Sequence, residues 1–215
     1  MRKKLLLSAT LTAAVLAVPA AALIASGPSA RDWSIGPIIR GENYSVNMPP
    51  TLRDTPDGPA FDFPYPTAAY GHVHYVTVPV RSLRGAERIT LTYRIDTESS
   101  TRFLEQENPD GQATLSLYFQ RSGDRWTRRT PQHRWYAPAS KEMVLRPGVH
   151  TVSVALDEPW IAMMGGDARD HPEKFEAAKR ETVRVGFTFG GKSGRGHGVF
   201  ATAPARFTVL DFRIE

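Results

Sequence analysis

The chain has 215 residues, with 27 Lys or Arg against 22 Asp or Glu, a formal net charge of +5 and no cysteine. The lack of cysteine excludes disulfide staples, thiolate metal sites, a cysteine nucleophile and a lipidated cysteine, so stability must come from packing. Arg2, Lys3 and Lys4 supply three of the basic charges and leave 24 against 22 elsewhere, interspersed in sign, so no nucleic-acid partner is expected.

The N-terminus reads as an export signal. Met1-Arg2-Lys3-Lys4 is basic, Leu5 to Ala25 is uncharged, and Pro19 precedes the small triplet Ala20-Ala21-Ala22. Residues 1–22 are expected to be a signal peptide cut after Ala22, which places the protein in the periplasm or outside the cell of a bacterium. The alternative is an uncleaved inner-membrane anchor, because the apolar run approaches the roughly 20 residues that span a bilayer. Membrane contact is expected only through this segment.

Residues 23–59 are expected to form an extended flank. The stretch from 31 to 70 is rich in prolines and aromatics, among them Trp33 and Tyr44, and has little regular period. A sandwich domain is expected over 60–215. His72 to Val80 is its first predicted strand, and Ile89 to Asp96 alternates apolar and polar residues without a fault, the period of a strand with one face on a core. Ala113 to Gln120 repeats this with Leu115, Leu117 and Phe119 on one side and Thr114, Ser116, Tyr118 and Gln120 on the other. Val149 to Leu156 and Val183 to Phe189 follow, and Phe207 to Ile214 closes the series, apolar on both faces. Turn signals such as Asn108-Pro109-Asp110-Gly111 and Arg146-Pro147-Gly148 separate the strands and indicate antiparallel pairing. One helix is predicted over Asp170 to Arg180, with Asp170 as its cap and Phe175 as its anchor.

Several patterns bear on chemistry. Gly186 to Ser193 matches the phosphate-loop spacing, yet its interior is strand-like and no helix follows, so no nucleotide is expected. His72 and His74 share one face of a strand, a chelating spacing that His197 would complete only by long-range folding; a solvated or hydrogen-bonded pair is the simpler reading and no metal site is assigned. Trp126 and the run His133-Arg134-Trp135-Tyr136 gather large rings with basic groups. Sugar rings pack C–H faces on aromatics while Arg donates hydrogen bonds, so this cluster suits a glycan, and core cover is the alternative. Gly190 to Gly198 carries Arg195 and His197 in a glycine frame, as a rim over a ligand or as a plain hairpin loop. No catalytic carboxylate pair is identified.

From about Ala60 to Glu215 the order of elements resembles the galactose-binding-like β-sandwich of many carbohydrate-binding modules. The resemblance rests on Phe61-Asp62-Phe63, on the helix leading into Val183 to Gly190, and on the closing Phe207 to Ile214. It implies an all-β antiparallel jelly roll with one short helix, and a glycan as the class of ligand. Many members hold a structural calcium, for which Asp211 is the only match, and no other cofactor is expected. The expectation is therefore an exported, non-enzymatic sandwich that binds a carbohydrate or cell-envelope glycan, with Trp126, Arg134, Trp135 and Tyr136 as platform and Arg195 and His197 as rim. A jelly-roll polysaccharide lyase or hydrolase, and an envelope domain that binds another protein, are the rival readings.

Overall fold

A computed structural model describes residues 27–192 and 194–215; the predicted signal segment, residues 1–22, lies outside them. In chain order the strands are β1 (Ser34–Gly36), β2 (Ile38–Ile39), β3 (Glu42–Asn43), β4 (Ala60–Asp62), β5 (Tyr75–Pro79), β6 (Arg88–Thr97), β7 (Phe103–Glu105) and β8 (Thr114–Arg121). They continue with β9 (Arg134–Tyr136), β10 (Met143–Val144), β11 (Gly148–Ala155), β12 (Ile161–Ala162), β13 (Thr182–Gly190), β14 (Val199–Ala201) and β15 (Ala205–Ile214). The helix α1 spans Pro172–Arg180. Among the described residues no helix is long and apolar enough to cross a membrane.

Two antiparallel sheets face each other. The larger runs β1-β5-β13-β8-β9-β12, with β10 also on β8; the smaller runs β11-β6-β15-β4. The long strands β5, β6, β8, β11, β13 and β15 alternate between the two sheets, so each connection crosses the sandwich. All six predicted strands are present, with ends displaced by at most three residues.

Period-two alternation sorts the side chains. Leu115, Leu117 and Phe119 of β8 and Val185, Phe187 and Phe189 of β13 point into the core, where they meet Leu91, Tyr93 and Ile95 of β6 and Phe207 of β15. Phe207 is the hub: it stacks on Tyr93 at 4.7 Å and on Phe187 at 5.1 Å, linking the sheets. Each such buried ring contributes roughly 1.5 to 3 kcal/mol of transfer free energy. Leu210, on the expected apolar strand, is exposed because a register shift between Val209 and Asp211 turns it outward.

The Pro-rich flank is tied into this frame. Trp33 is fully buried and touches Phe187 of one sheet and Phe212 of the other at 5.5 and 5.0 Å, while β1 extends the large sheet beside β5. The β2-β3 hairpin then turns at Arg40 (φ 54°) and Gly41 (φ 88°), the pair of positive φ values that a two-residue hairpin loop needs.

The helix corrects one expectation. His171, and not Asp170, occupies the cap position, because Pro172 fixes the start of the helix one residue later; Asp170 instead accepts a hydrogen bond from the Asp167 amide at 2.8 Å. Phe175 does anchor the helix, 4.8 Å from Trp135 and 5.7 Å from Phe119.

Candidate ligand-binding groove

The alternation that fills the core leaves a second set of side chains on the outer face of the large sheet. Tyr75, Thr77, Thr188, Tyr118, Gln120, Arg134 and Tyr136 come from four neighbouring strands and look away from Phe187, with Gly36 of β1 paired to Tyr75 at the edge. Two depressions lie on this face, of about 250 and 570 Å³, and Pro37, Tyr75 and Trp126 line both. The β2-β3 hairpin, the loop carrying Trp126 and the glycine loop after β13 supply the walls.

Beneath Trp126 lies a tyrosine cluster separate from the main core. Tyr75 sits 4.8 Å from Tyr118, Tyr118 sits 5.2 Å from Tyr136, and the Tyr75 and Tyr136 hydroxyls share a 2.8 Å hydrogen bond. Burial pushes the pKa of Tyr75 and Tyr118 well above the ordinary phenol value and raises that of Tyr136. The phenols therefore stay protonated at ordinary pH; Tyr75 and Tyr136 bond to each other, and the buried Tyr118 hydroxyl has no hydrogen-bond partner among the described residues, so the cluster acts as a packing surface and not as a base.

Trp126 lies over this cluster, half-buried, its ring 5.1 Å from Tyr75 and nearly perpendicular to it. Its φ of 57° is rare for a bulky side chain and is held by local bonds. Asp124 accepts the Trp126 amide at 3.1 Å and Gln120 Nε2 at 2.9 Å, and it pairs with Arg134 at 3.0 Å. Arg134 in turn donates to the Thr127 carbonyl at 2.9 Å and places its guanidinium 5.0 Å from the Trp126 ring centre. The Asp124 side chain is 1% exposed, so the loop is fixed by a buried charge pair.

The opposite wall is the glycine loop. His74 Nδ1 donates to the Gly196 carbonyl at 2.7 Å, which leaves Nε2 to accept from His72 Nδ1, also at 2.7 Å. Burial lowers the His74 pKa to about 4 and also lowers that of His72, so the relay is neutral at ordinary pH. Glycine is required at 196, where φ is 78° and a Cβ would overlap the Tyr75 hydroxyl. The loop is thereby folded tightly against His74 and Tyr75 and carries Arg195 and His197 to the larger depression, where Arg195 pairs with Glu142 and His197 Nδ1 meets Glu107 at 2.8 Å.

Five of the six expected site residues line the groove: Trp126, Arg134, Tyr136, Arg195 and His197. The sixth corrects the expectation. Trp135 is fully buried and points into the core, because β9 alternates and only Arg134 and Tyr136 can share the groove face; its indole nitrogen donates to the Gln132 carbonyl at 2.8 Å. Tyr75, Tyr118, Asp124 and the exposed Tyr44 were not legible as site residues. A tyrosine on the polar side of the β8 pattern was the one available signal. Asp211 is paired with Arg213 at 2.7 Å on β15, and the described residues contain no cluster of three or more His, Asp or Glu groups suited to a metal ion. The phosphate-loop pattern is strand from Gly186 to Gly190, with Phe187 and Phe189 buried.

The sequence matches no family model and none of the curated proteins. Among solved structures, the chain is similar to carbohydrate-binding modules and glycosidase-related chains. One is the xylan-binding module CBM15, at 11% identity over 87% of this chain and 94% of that one, with a TM-score of 0.40. Another is a mutant of Xylanase10C from Cellvibrio japonicus in complex with xylopentaose, at 12% identity over 85% of this chain and 28% of that one, with a TM-score of 0.41.

Proposed function

We propose that the chain is an exported, non-enzymatic β-sandwich that binds a carbohydrate along the outer face of its large sheet. The observation that carries this reading is Trp126, a half-buried ring fixed at an uncommon backbone angle over a groove floored by Tyr75. A ring held in advance of binding offers a flat apolar face to the C–H side of a sugar at little entropic cost. Tyr44, exposed at the edge of the larger depression, is a second surface of the same kind. Arg134, Tyr136, Arg195 and His197 line the larger depression with Trp126 and supply polar groups able to orient hydroxyls. Export follows from the basic and apolar N-terminal pattern and places the groove where polysaccharides are found.

The test is affinity electrophoresis of the purified protein through gels containing neutral and acidic polysaccharides. Retardation on at least one polymer, abolished in Trp126→Ala, is the expected result. Uniform mobility across a broad panel would overturn the reading and direct attention to a protein partner.

A further inference from the structure

The groove is far more basic than the chain that forms it. Outside the N-terminal basic cluster the sequence is nearly balanced, with 24 basic and 22 acidic residues. The two depressions are nevertheless lined by Arg121, Arg128, Arg134, Arg184 and Arg195 against only Asp124 and Glu107. Three of these arginines are matched: Arg134 by Asp124, Arg121 by Glu181 and Arg195 by Glu142. Glu107, at the rim, is turned to His197.

Arg128 and Arg184 remain. Among the described residues neither has a carboxylate within ion-pair distance, and Arg184 has only a 3.3 Å contact to the Thr77 hydroxyl. Arg184 is half-buried, where an unmatched guanidinium loses hydration without recovering it from a counter-charge. The two lie in different depressions, Arg184 in the smaller and Arg128 in the larger, and Trp126 is common to both. A guanidinium presents a planar fork of donors that fits a carboxylate through two parallel hydrogen bonds.

Resting on the carbohydrate reading above, we infer that the ligand is a carboxylate-bearing polysaccharide, with one sugar stacked on Trp126 and acidic sugars on either side meeting Arg128 and Arg184. A neutral chain would offer hydroxyl acceptors but no counter-charge to either guanidinium. Electrostatic attraction of this kind weakens with ionic strength, since the screening length shortens from roughly 10 Å at 0.1 M salt to 3 Å at 1 M.

The experiment measures retardation of the full protein on polygalacturonate, alginate and hyaluronan, each beside its carboxyl-reduced counterpart, at low and high salt. Retardation on an acidic polymer is expected to fall at least about tenfold on its reduced form and at least about tenfold in Arg128→Gln and in Arg184→Gln. Arg128 is exposed, so its variant tests the idea even if Arg184→Gln disturbs the fold, which the thermal transition would report. Equal binding to acidic and reduced forms, or binding to neutral polymers alone, would overturn the charge preference and leave the carbohydrate reading standing. No binding to any polymer would overturn both.

Discussion

Asp124 and Arg134 hold Trp126 from two sides: the carboxylate accepts the tryptophan's backbone amide at 3.1 Å, and the guanidinium it pairs with at 3.0 Å lies 5.0 Å from the indole centre. One buried charge pair thus sets both the backbone and the ring of the groove's central residue. Removing Asp124 would leave Arg134 charged, 9% exposed and unmatched. Asp124→Ala is therefore expected to cost about 3 to 5 kcal/mol in urea unfolding, and the double variant with Arg134→Met to cost less than Asp124→Ala alone. A double variant no better than the single would show that the pair is not the origin of the loss.

Trp126 and Trp135 should separate binding from stability. Trp135→Ala empties a fully buried site against Phe175 and is expected to cost about 3 to 5 kcal/mol, or roughly 10 °C in thermal midpoint. Trp126→Ala is expected to shift the midpoint by only a few degrees while lowering glycan affinity at least about tenfold. Calorimetry and gel retardation on the same preparations decide this, and a reversed pattern would return Trp135 to the site.

Acid should weaken the glycine-loop wall. Burial holds His74 at about 4, below its ordinary 6.5, so the unfolded chain takes up a proton first as pH falls. The stabilisation is complete above pH 6.5, declines between 6.5 and about 4, and is lost below, a change of about 3 kcal/mol. His72, also lowered by burial, adds in the same direction. Unfolding free energy measured from pH 8 to 4 should fall less steeply in His74→Gln; parallel curves would remove His74 as the cause.

Gly196→Ala is expected to open the same wall at neutral pH. The added Cβ would overlap the Tyr75 hydroxyl at a backbone angle that alanine resists, so the loop must lift from His74. The expected result is about 2 kcal/mol of lost stability together with weaker glycan retention. Unchanged retention would mean that Arg195 and His197 do not contribute to the ligand site.

The long strands were readable because each buries one face, and a period of two survives in sequence wherever that holds. Ile89 to Asp96 and Ala113 to Gln120 show it without interruption, and the structure changes only their ends. The site was readable in part. Trp126 and the Arg134–Tyr136 run stood out as rings among cations, but three adjacent residues on a short strand cannot share a face, and Trp135 falls on the core side. Tyr75 and Tyr118 come from strands whose sequences are dominated by core packing, and only their pairing through β13 brings the two rings together. Asp124 ends the turn sequence Ser122-Gly123-Asp124, and its role arises from burial beside Arg134, which no local pattern encodes.

The same alternation gives β8 two independent alphabets. Leu115, Leu117 and Phe119 answer to Phe207 and its neighbours, while Tyr118 and Gln120 line the smaller depression. An exchange at Thr77 or Gln120 would alter the lining of the smaller depression without touching a core ring. The lining of the groove is thus open to revision one position at a time, by steps that leave the core between the sheets unaware of the change.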